Sequence, residues 1–389
     1  MSRRRKERNP VQSTSRHHPQ MPHRIKLFFM GIALPEKKTF MQKIFPRVDK
    51  CRVQFYYNTH KIQQKRLDAR EKGKSMDNLI FSLNATLPIF LTMMLGCFFK
   101  KIGVMDDSFV KKMNSFVFQV ALPVMVFEDL ATVNFFEVWD IRFVVFCFGT
   151  TLISILAVTA VSYFLKDRTI QGEFIQASYR SSAAILGIAF IQNIYGNAGM
   201  APLMIVATVP LYNVMAVVVL SVMKPEREPL SRELILKTLK GIVTNPIILG
   251  IAAGMLWSLL KIPMPVILGK TVQNVGVLAT PLGLMAMGAS LEWKQTAGRL
   301  RPAAAATVIK LVVLAAVFLP IAISMGFREE KLVAILVMLG SATTVSCFVM
   351  AKNMGHEGTL TSSTVMLTTL CSAFTLTGWM YLLKTLAFI

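Results

Sequence analysis

Residues 180–190 read Arg180-Ser-Ser-Ala-Ala-Ile-Leu-Gly-Ile-Ala-Phe190, and residues 338–348 read Met338-Leu-Gly-Ser-Ala-Thr-Thr-Val-Ser-Cys-Phe348. A shift of 158 residues pairs Ala184 with Ala342 and Phe190 with Phe348. The same shift pairs further residues along the chain: Pro88 with Pro246, Pro123 with Pro281, Gly96 with Gly254 and Ala121 with Ala279. Alanine matches arise by chance in an apolar chain, but two proline pairs and a glycine pair on one diagonal predict an internal repeat.

The composition excludes a water-soluble enzyme. The chain has 389 residues, of which 53% are hydrophobic and 16% charged, and its mean hydropathy is +0.52. Soluble domains carry about a quarter of their residues as charged side chains. Charged residues at 16% are too few for the water-exposed surface of a soluble protein of this length. The composition therefore predicts an integral membrane protein.

The hydropathy divides the chain after Met76 into ten apolar stretches, each about the 20 residues that a bilayer core requires. The stretches cover residues 78–99, 113–133, 142–165, 174–195, 200–223, 242–261, 265–290, 302–324, 331–351 and 361–386. Five spans fall in each repeat, at 76–223 and 242–389, with a linker at 224–241. Because five is odd, the second repeat must be inverted relative to the first. The predicted fold is all-α, with ten transmembrane helices in two inverted five-helix repeats.

Charged loop residues predict the orientation. Lysine and arginine concentrate in the loops after the first, third, fifth, seventh and ninth spans, whereas the opposite loops hold few. Positively charged loops stay in the cytoplasm, so both ends of the 76–389 unit are expected outside it. Inverted repeats of this kind place a substrate at their interface near the bilayer midplane. The pattern is typical of a secondary transporter.

Residues 1–75 differ from the rest, with 20 Lys and Arg against 5 Asp and Glu. Three interpretations compete: a basic arm that binds phosphate groups, a targeting segment, or translated sequence upstream of the true start. Lys72-Gly73-Lys74 requires the purine-rich codons AAR-GGN-AAR just before Met76, which resembles a bacterial ribosome-binding site. This favours a start at Met76 and no nucleic-acid partner; a disordered cytoplasmic tail is the alternative.

Short motifs in the fourth and ninth spans resemble the auxin efflux carrier family, which includes bacterial organic-acid permeases. Gly187-Ile-Ala189 followed by Tyr195-Gly196 is similar to the family pattern Leu/Met-Gly-Ile-Pro and then Tyr-Gly. Phe348-Val-Met-Ala-Lys352 is similar to its Phe-Val-x-Ala-Lys. Further matches occur in order along the chain: Pro210-Leu-Tyr-Asn213, Asn245-Pro246, Pro281-Leu282 and Gly288-Ala289. The resemblance covers residues 76–389 and none of residues 1–75.

The resemblance implies helices 4 and 9 that unwind where they cross, transport of small carboxylates through the cell membrane, and a homodimer. The chain departs from the family at the crossing. The family's prolines fall at Ala189 and Cys347, and its fourth-helix asparagine falls at Ser182. The break must then depend on Gly187 in one helix and on short hydroxyl side chains in the other, since hydroxyls can satisfy backbone groups that a break frees.

Two of the cations in the predicted spans, Arg180 and Lys310, are candidates for a functional role. Arg180 is near the cytoplasmic end of the fourth span and Lys310 is near the middle of the eighth. Each could extend to the headgroups or face the interior, where an ionisable group indicates function. The carboxylates Glu128, Asp129 and Glu173 lie toward span ends. A cationic interior with the positive ends of broken helices favours an anionic substrate.

The predicted substrate-binding residues combine these cations with the crossing: Arg180, Ser181, Ser182, Gly187, Ala189, Asn213, Lys310, Ala342, Thr343, Thr344, Ser346 and Cys347. No catalytic residues, metal site or cofactor are expected, because the sequence has no phosphate-binding GxxxxGK[ST] motif and no Cys/His pattern of a zinc site.

The predicted function is transport of a small organic anion by alternating access, with proton or sodium both open as the coupling ion. One alternative is a cation-coupled symporter or antiporter of the same architecture. A non-transporting membrane sensor is another, although a sensor would be expected to carry a soluble output domain.

The orientation can be tested by labelling single cysteines in intact cells with a membrane-impermeant maleimide. A cysteine near Glu329 should react from outside and one near Lys237 should not, because the loops rich in Lys and Arg stay in the cytoplasm. The reverse labelling pattern would contradict the predicted orientation.

Overall fold

The computed structural model describes residues 87–132, 140–183, 188–196, 199–224, 232–291 and 293–389. All regular secondary structure in these ranges is helical, which confirms the predicted helical class. The proposed start at Met76, the basic extension and the beginning of the first predicted span lie outside the described residues.

Within the described ranges, six helices are long and apolar enough to cross a membrane: Asp107–Ala131, Ile141–Ser162, Ala201–Val222, Val266–Ala289, Gly298–Ser324 and Thr359–Thr385. A shorter apolar helix covers Pro246–Leu259, residues 87–101 are helical, and Arg232–Val243 forms a helix within the predicted linker region. A chain with several such helices is a multi-pass membrane protein, because each helix satisfies its own backbone hydrogen bonds within the hydrocarbon.

Two of the predicted spans are interrupted. The first interrupted helix consists of Gln171–Tyr179 and Ile188–Tyr195, and the second of Glu329–Gly340 and Ser346–Asn353. The individual segments contain 8 to 12 residues, too few to cross the hydrocarbon core at 1.5 Å per residue. Each interruption places non-helical backbone inside the protein.

Glycines bring the uninterrupted helices into direct backbone contact. A Cβ atom added at Gly96 would collide with the backbone of Met285, and one at Gly288 with the carbonyl oxygen of Met93. A Cβ atom at Gly254 would collide with the carbonyl of Phe127. Small residues at such positions let membrane helices approach closely and gain packing energy.

Ion pairs near the ends of helices join neighbouring parts of the fold. Lys331, in the first turn of the second interrupted helix, donates to Asp140 at 2.5 Å, and this hydrogen bond lowers the pKa of Asp140. Arg299 pairs with Asp167. Hydrogen bonds from Thr169, followed by that from Arg299, lower the pKa of Asp167 to about 2. Both carboxylates are therefore ionised at neutral pH.

The glycine contacts predict a matched pair of stability changes. Gly96→Ala should destabilise the protein by about 1–3 kcal/mol because the added methyl group overpacks a backbone contact. Gly149→Ala meets no atom within 4 Å and should leave stability unchanged or slightly raised, since alanine favours helix. Thermal unfolding of the two purified variants in detergent measures the difference. Equal melting temperatures would contradict the close packing at Gly96.

Candidate functional site

The two interrupted helices end in extended backbone at the same place in the fold. The first segment of one ends at Tyr179, and Arg180 has φ −73° and ψ 133°. The first segment of the other ends at Gly340, and Ser341 has φ −78° and ψ 163°. The backbone N–H of Ser182 donates to the carbonyl of Ala342 at 2.9 Å. The two breaks therefore touch through a backbone hydrogen bond.

Side chains of each break also satisfy backbone groups of the other. The last four carbonyls of a helix have no partner within it, and Ala177 carries one of them in the first interrupted helix. The hydroxyl of Thr343 donates to this carbonyl at 2.8 Å. In return, the amide Nε2 of Gln176 donates to the carbonyl of Cys347 at 2.9 Å. The Thr343 contact replaces a hydrogen bond that a continuous helix would provide, and the Gln176 contact joins the first interrupted helix to the segment after the second break.

The helix Thr359–Thr385, called the C-terminal helix below, supports the second break. The N–H of Thr343 donates to the hydroxyl oxygen of Thr368 at 3.0 Å. That hydroxyl donates in turn to the carbonyl of Thr364 at 2.8 Å. All three side chains are buried, so the non-helical backbone at residues 341–344 is held against the C-terminal helix.

Arg180 is buried at the first break, with 2% of its surface exposed, and does not extend to the headgroups. Its Nη2 donates to Asn213 Oδ1 at 2.8 Å and to Ser346 Oγ at 3.0 Å, and its Nη1 lies 2.8 Å from the sulfur of Met350. Its Nε has no hydrogen-bond partner. Asn213 Nδ2 donates to the carbonyl of Val209, which orients the amide oxygen toward the arginine. The guanidinium is therefore held by neutral groups and is incompletely satisfied.

Lys310 is fully buried, at 0% exposure, and also points into the protein. Its Nζ donates to the carbonyl of Leu339 at 2.6 Å, to the carbonyl of Met338 at 3.2 Å and to Ser181 Oγ at 2.5 Å. Ser181 donates its own hydroxyl proton to the carbonyl of Met338. The three protons of the ammonium thus have three oxygen acceptors at the crossing.

A cavity of about 240 Å³ lies beside the second break. Its lining includes six short hydroxyl side chains together with apolar groups: Ser182, Thr280, Thr343, Thr344, Ser346 and Thr369, with Ile89, Leu122, Met125, Ala279, Ala342, Val345 and Val349. No charged side chain belongs to this lining. Ser346 connects the cavity to Arg180, because its Oγ accepts from the guanidinium and lies 3.2 Å from Thr344 Oγ1.

Glu173 anchors the first interrupted helix to the C-terminal helix. This carboxylate is 1% exposed and accepts the backbone N–H of Gly358 at 2.8 Å and both the N–H and hydroxyl of Thr361 at 3.0 Å. A carboxylate is stabilised at a helix N-terminus by free N–H groups and by the helix dipole. Its hydrogen bonds fit a structural anchor at a distance from the cavity.

The predicted site residues fall into three groups. Five of them line the cavity: Ser182, Ala342, Thr343, Thr344 and Ser346. Four lie in the buried polar networks behind it: Arg180, Ser181, Asn213 and Lys310. Cys347 is buried and contributes its carbonyl to the crossing. Gly187 and the side chain of Ala189 lie outside the described residues. For all of the predicted site residues, a role in substrate binding stays a prediction.

The sequence reasoning missed several residues of this region. Gln176 bridges the two breaks, while Thr280 and Thr369 line the cavity. A signal was present for Thr369, because Ser and Thr recur at three- and four-residue spacing along residues 361–372. Gln176 stands in mixed polar and apolar sequence and Thr280 in apolar sequence, and neither belongs to a comparable pattern.

A family model described as membrane transport protein, that of the auxin efflux carriers, matches residues 81–380. The chain belongs to this family, which confirms the resemblance found in the fourth and ninth spans. A relative in Rhizobium meliloti (strain 1021), named "Putative malonate transporter", is 23% identical over 306 residues, covering 77% of this chain and 94% of the relative. The alignment thus extends over nearly the whole of that protein.

The Arg180 network predicts an energetic coupling. Asn213→Leu removes the amide acceptor of a buried arginine and should destabilise the protein by about 1–3 kcal/mol. In an Arg180→Met background the same change should cost much less, because no buried charge is then left unpaired. A double-mutant cycle from thermal or denaturant unfolding in detergent measures this coupling. Additive effects of the two changes would show that the arginine does not depend on Asn213.

Proposed function

We propose that this protein is a secondary transporter that moves a small organic anion, a carboxylate, across the cytoplasmic membrane by alternating access. The observation that carries the proposal is the cavity at the crossing with Arg180 one hydroxyl group behind its wall. The family membership and the name of the Rhizobium meliloti relative support it.

The charge of the site favours an anion. Arg180 and Lys310 are both buried, and neither pairs with a carboxylate among the described residues. An ion transferred from water into a protein interior is costly unless opposite charge or hydrogen bonds compensate it. Neutral oxygens satisfy the ammonium, whereas the guanidinium keeps an unpaired N–H. An anion in the cavity would accept hydrogen bonds from the hydroxyl groups of the lining. The positive charge of Arg180, which lies behind Ser346, would attract it.

The size of the cavity favours a small substrate. Its 240 Å³ lie below the range of about 300–1,000 Å³ that is usual for pockets of drug-sized ligands. The hydroxyl lining can donate several hydrogen bonds to one or two carboxylate groups, while the apolar side chains can contact a short carbon chain. A carboxylate of a few carbon atoms fits these properties.

We propose ten transmembrane helices in two inverted repeats as the architecture. Three helices of the first half begin 158 residues before a helix of the second half: Gln171 before Glu329, Ile188 before Ser346 and Ala201 before Thr359. The backbone contact between Gly96 and Met285 also has a counterpart at the same offset, between Gly254 and Phe127. Such reciprocal contacts are expected of two repeats related by a pseudo-twofold axis.

Alternating access is supported by the position of the cavity. One wall consists of residues from uninterrupted helices, such as Leu122 and Thr280, and the other of residues from the crossing, such as Ser182 and Thr344. Movement of one wall against the other would open the cavity to either side of the membrane. A homodimer, the extracytoplasmic position of both ends of the 76–389 unit and the coupling ion are further proposals, to be tested separately.

Transport can be tested with purified protein in proteoliposomes and a panel of radiolabelled small carboxylates, including malonate. Arg180→Met should lower substrate affinity or the transport rate at least about tenfold, equivalent to about 1.4 kcal/mol, because it removes the charge behind the cavity. Ser346→Ala should have a smaller effect, since it removes one neutral hydrogen bond worth about 1 kcal/mol.

Arg142→Met is the matched control, because Arg142 is an exposed arginine at the start of the helix Ile141–Ser162. It should transport at the wild-type rate. Neutral amides of the same carbon skeletons should not compete with the labelled carboxylate. Competition by the amides, or normal transport by Arg180→Met, would contradict an anion site that depends on this arginine.

A further inference from the structure

The environment of the Lys310 ammonium resembles that of a bound cation. Its Nζ lies 2.5–3.2 Å from three oxygens: two consecutive backbone carbonyls and one hydroxyl. The lysine is fully buried, so water does not complete this shell from the surface. An ammonium group donates three hydrogen bonds, and all three have an acceptor here.

The carbonyls belong to a particular part of the fold. Met338 and Leu339 lie in the last turn of the segment Glu329–Gly340, where carbonyls lack helical partners and carry the negative end of the helix dipole. In transporters with discontinuous helices, unwound carbonyls and the C-terminal ends of half-helices coordinate the coupling Na⁺ or H⁺. Lys310 thus occupies the kind of place that a coupling metal cation takes in such proteins.

The local structure of the lysine's own helix fits this position. Lys310 lies in a π-helical turn, Ile309–Val313, inserted in an otherwise α-helical segment, and such insertions are frequent at functional sites. The indole N–H of Trp379 donates to the carbonyl of Leu311 within this turn at 3.1 Å. The turn is therefore supported by the C-terminal helix.

We infer that the Lys310 ammonium acts as a built-in cation that replaces a coupling metal ion at the second break. The tethered charge compensates the carbonyls of Met338 and Leu339 and, through Ser181, holds the two interrupted helices together. It has no free donor for a substrate and does not line the cavity, so it is a positioning residue. Transport by the wild-type protein should then be independent of Na⁺. The expected independence of Na⁺ rests on the proposed transport function, whereas the role of the Lys310 ammonium as a built-in cation does not.

The first experiment uses the wild-type protein in proteoliposomes. Initial uptake of the labelled carboxylate is compared with Na⁺ on both sides and with Na⁺ replaced by N-methyl-D-glucamine. The rates should agree within about twofold. A tenfold or greater loss without Na⁺ would overturn the inference, because a metal cation would then be required.

The second experiment tests the cation site without any transport. Lys310→Ala removes a three-carbon ammonium, and n-propylammonium is the missing fragment. The variant should unfold at a lower temperature than the wild type in detergent, and n-propylammonium should raise its melting temperature in a saturable way. n-Propanol, which has the same shape without the charge, should not. If neither n-propylammonium nor Na⁺ raises the melting temperature of Lys310→Ala, the inference is overturned.

Lys331→Ala is the matched control, because Lys331 lies at the opposite end of the same helical segment and pairs with Asp140 outside the span. It should not respond to n-propylammonium. In transport, Lys310→Ala should recover at least about tenfold in rate when n-propylammonium or Na⁺ is added. A lysine that merely fills space would not make transport depend on an added cation.

Lys310→Met covers the case in which the alanine variant does not fold, since it keeps the long apolar stem and removes only the charge. It should be folded, less stable than the wild type and at least about tenfold slower in transport. Wild-type stability together with wild-type transport would overturn the inference. If the wild-type protein transports no carboxylate, the proposed function fails, while the melting temperatures still decide the role of Lys310.

Discussion

Two helices that stop inside a membrane protein leave backbone carbonyls and N–H groups that lipid cannot satisfy, and the rest of this structure depends on how they are satisfied. Each unpaired group would cost several kcal/mol in hydrocarbon. The breaks satisfy one another through the Ser182–Ala342 backbone bond and the Thr343 hydroxyl on the carbonyl of Ala177. Two non-helical segments can therefore lie at membrane depth because they lie against each other.

The crossing also determines where charge can be buried. The Lys310 ammonium donates to the carbonyls at the end of the segment Glu329–Gly340. Arg180 directly follows the segment Gln171–Tyr179, and its hydrogen-bond partners are neutral. Neither cation is neutralised by a carboxylate among the described residues. The buried Glu173 is instead bound to the N-terminus of the C-terminal helix. The result is a cavity whose lining of hydroxyl and apolar side chains is neutral, with positive charge behind it, and the proposed anion site depends on this combination.

The breaks also show how a helix can be interrupted without proline. The family's prolines are replaced by Ala189 and Cys347, which are the second residues of the helical segments that follow the breaks. Sequence reasoning assigned the ninth-helix break to hydroxyl residues. Thr343 of that break caps the carbonyl of Ala177, which belongs to the other interrupted helix. The first interruption begins at Arg180, earlier than Gly187, on which the sequence prediction placed this break. The non-helical backbone there has its partner on the opposite break, since the N–H of Ser182 donates to the carbonyl of Ala342.

The sequence by itself determined the membrane class, the helical class and the family, because hydropathy and short motifs are local properties of the chain. It also singled out Arg180 and Lys310 as cations within apolar spans, where charge is rare, but left open whether they extend to the headgroups or face the interior. Only the tertiary structure decided what these cations contact: Lys310 meets Ser181 from 129 residues away, and Arg180 meets Ser346 from 166 residues away. No local pattern records which carbonyls a break leaves unpaired or which side chains packing brings to them. That packing gives Lys310 the carbonyls of a helix end as partners, and it gives Arg180 the hydroxyl of Ser346, which lines the cavity.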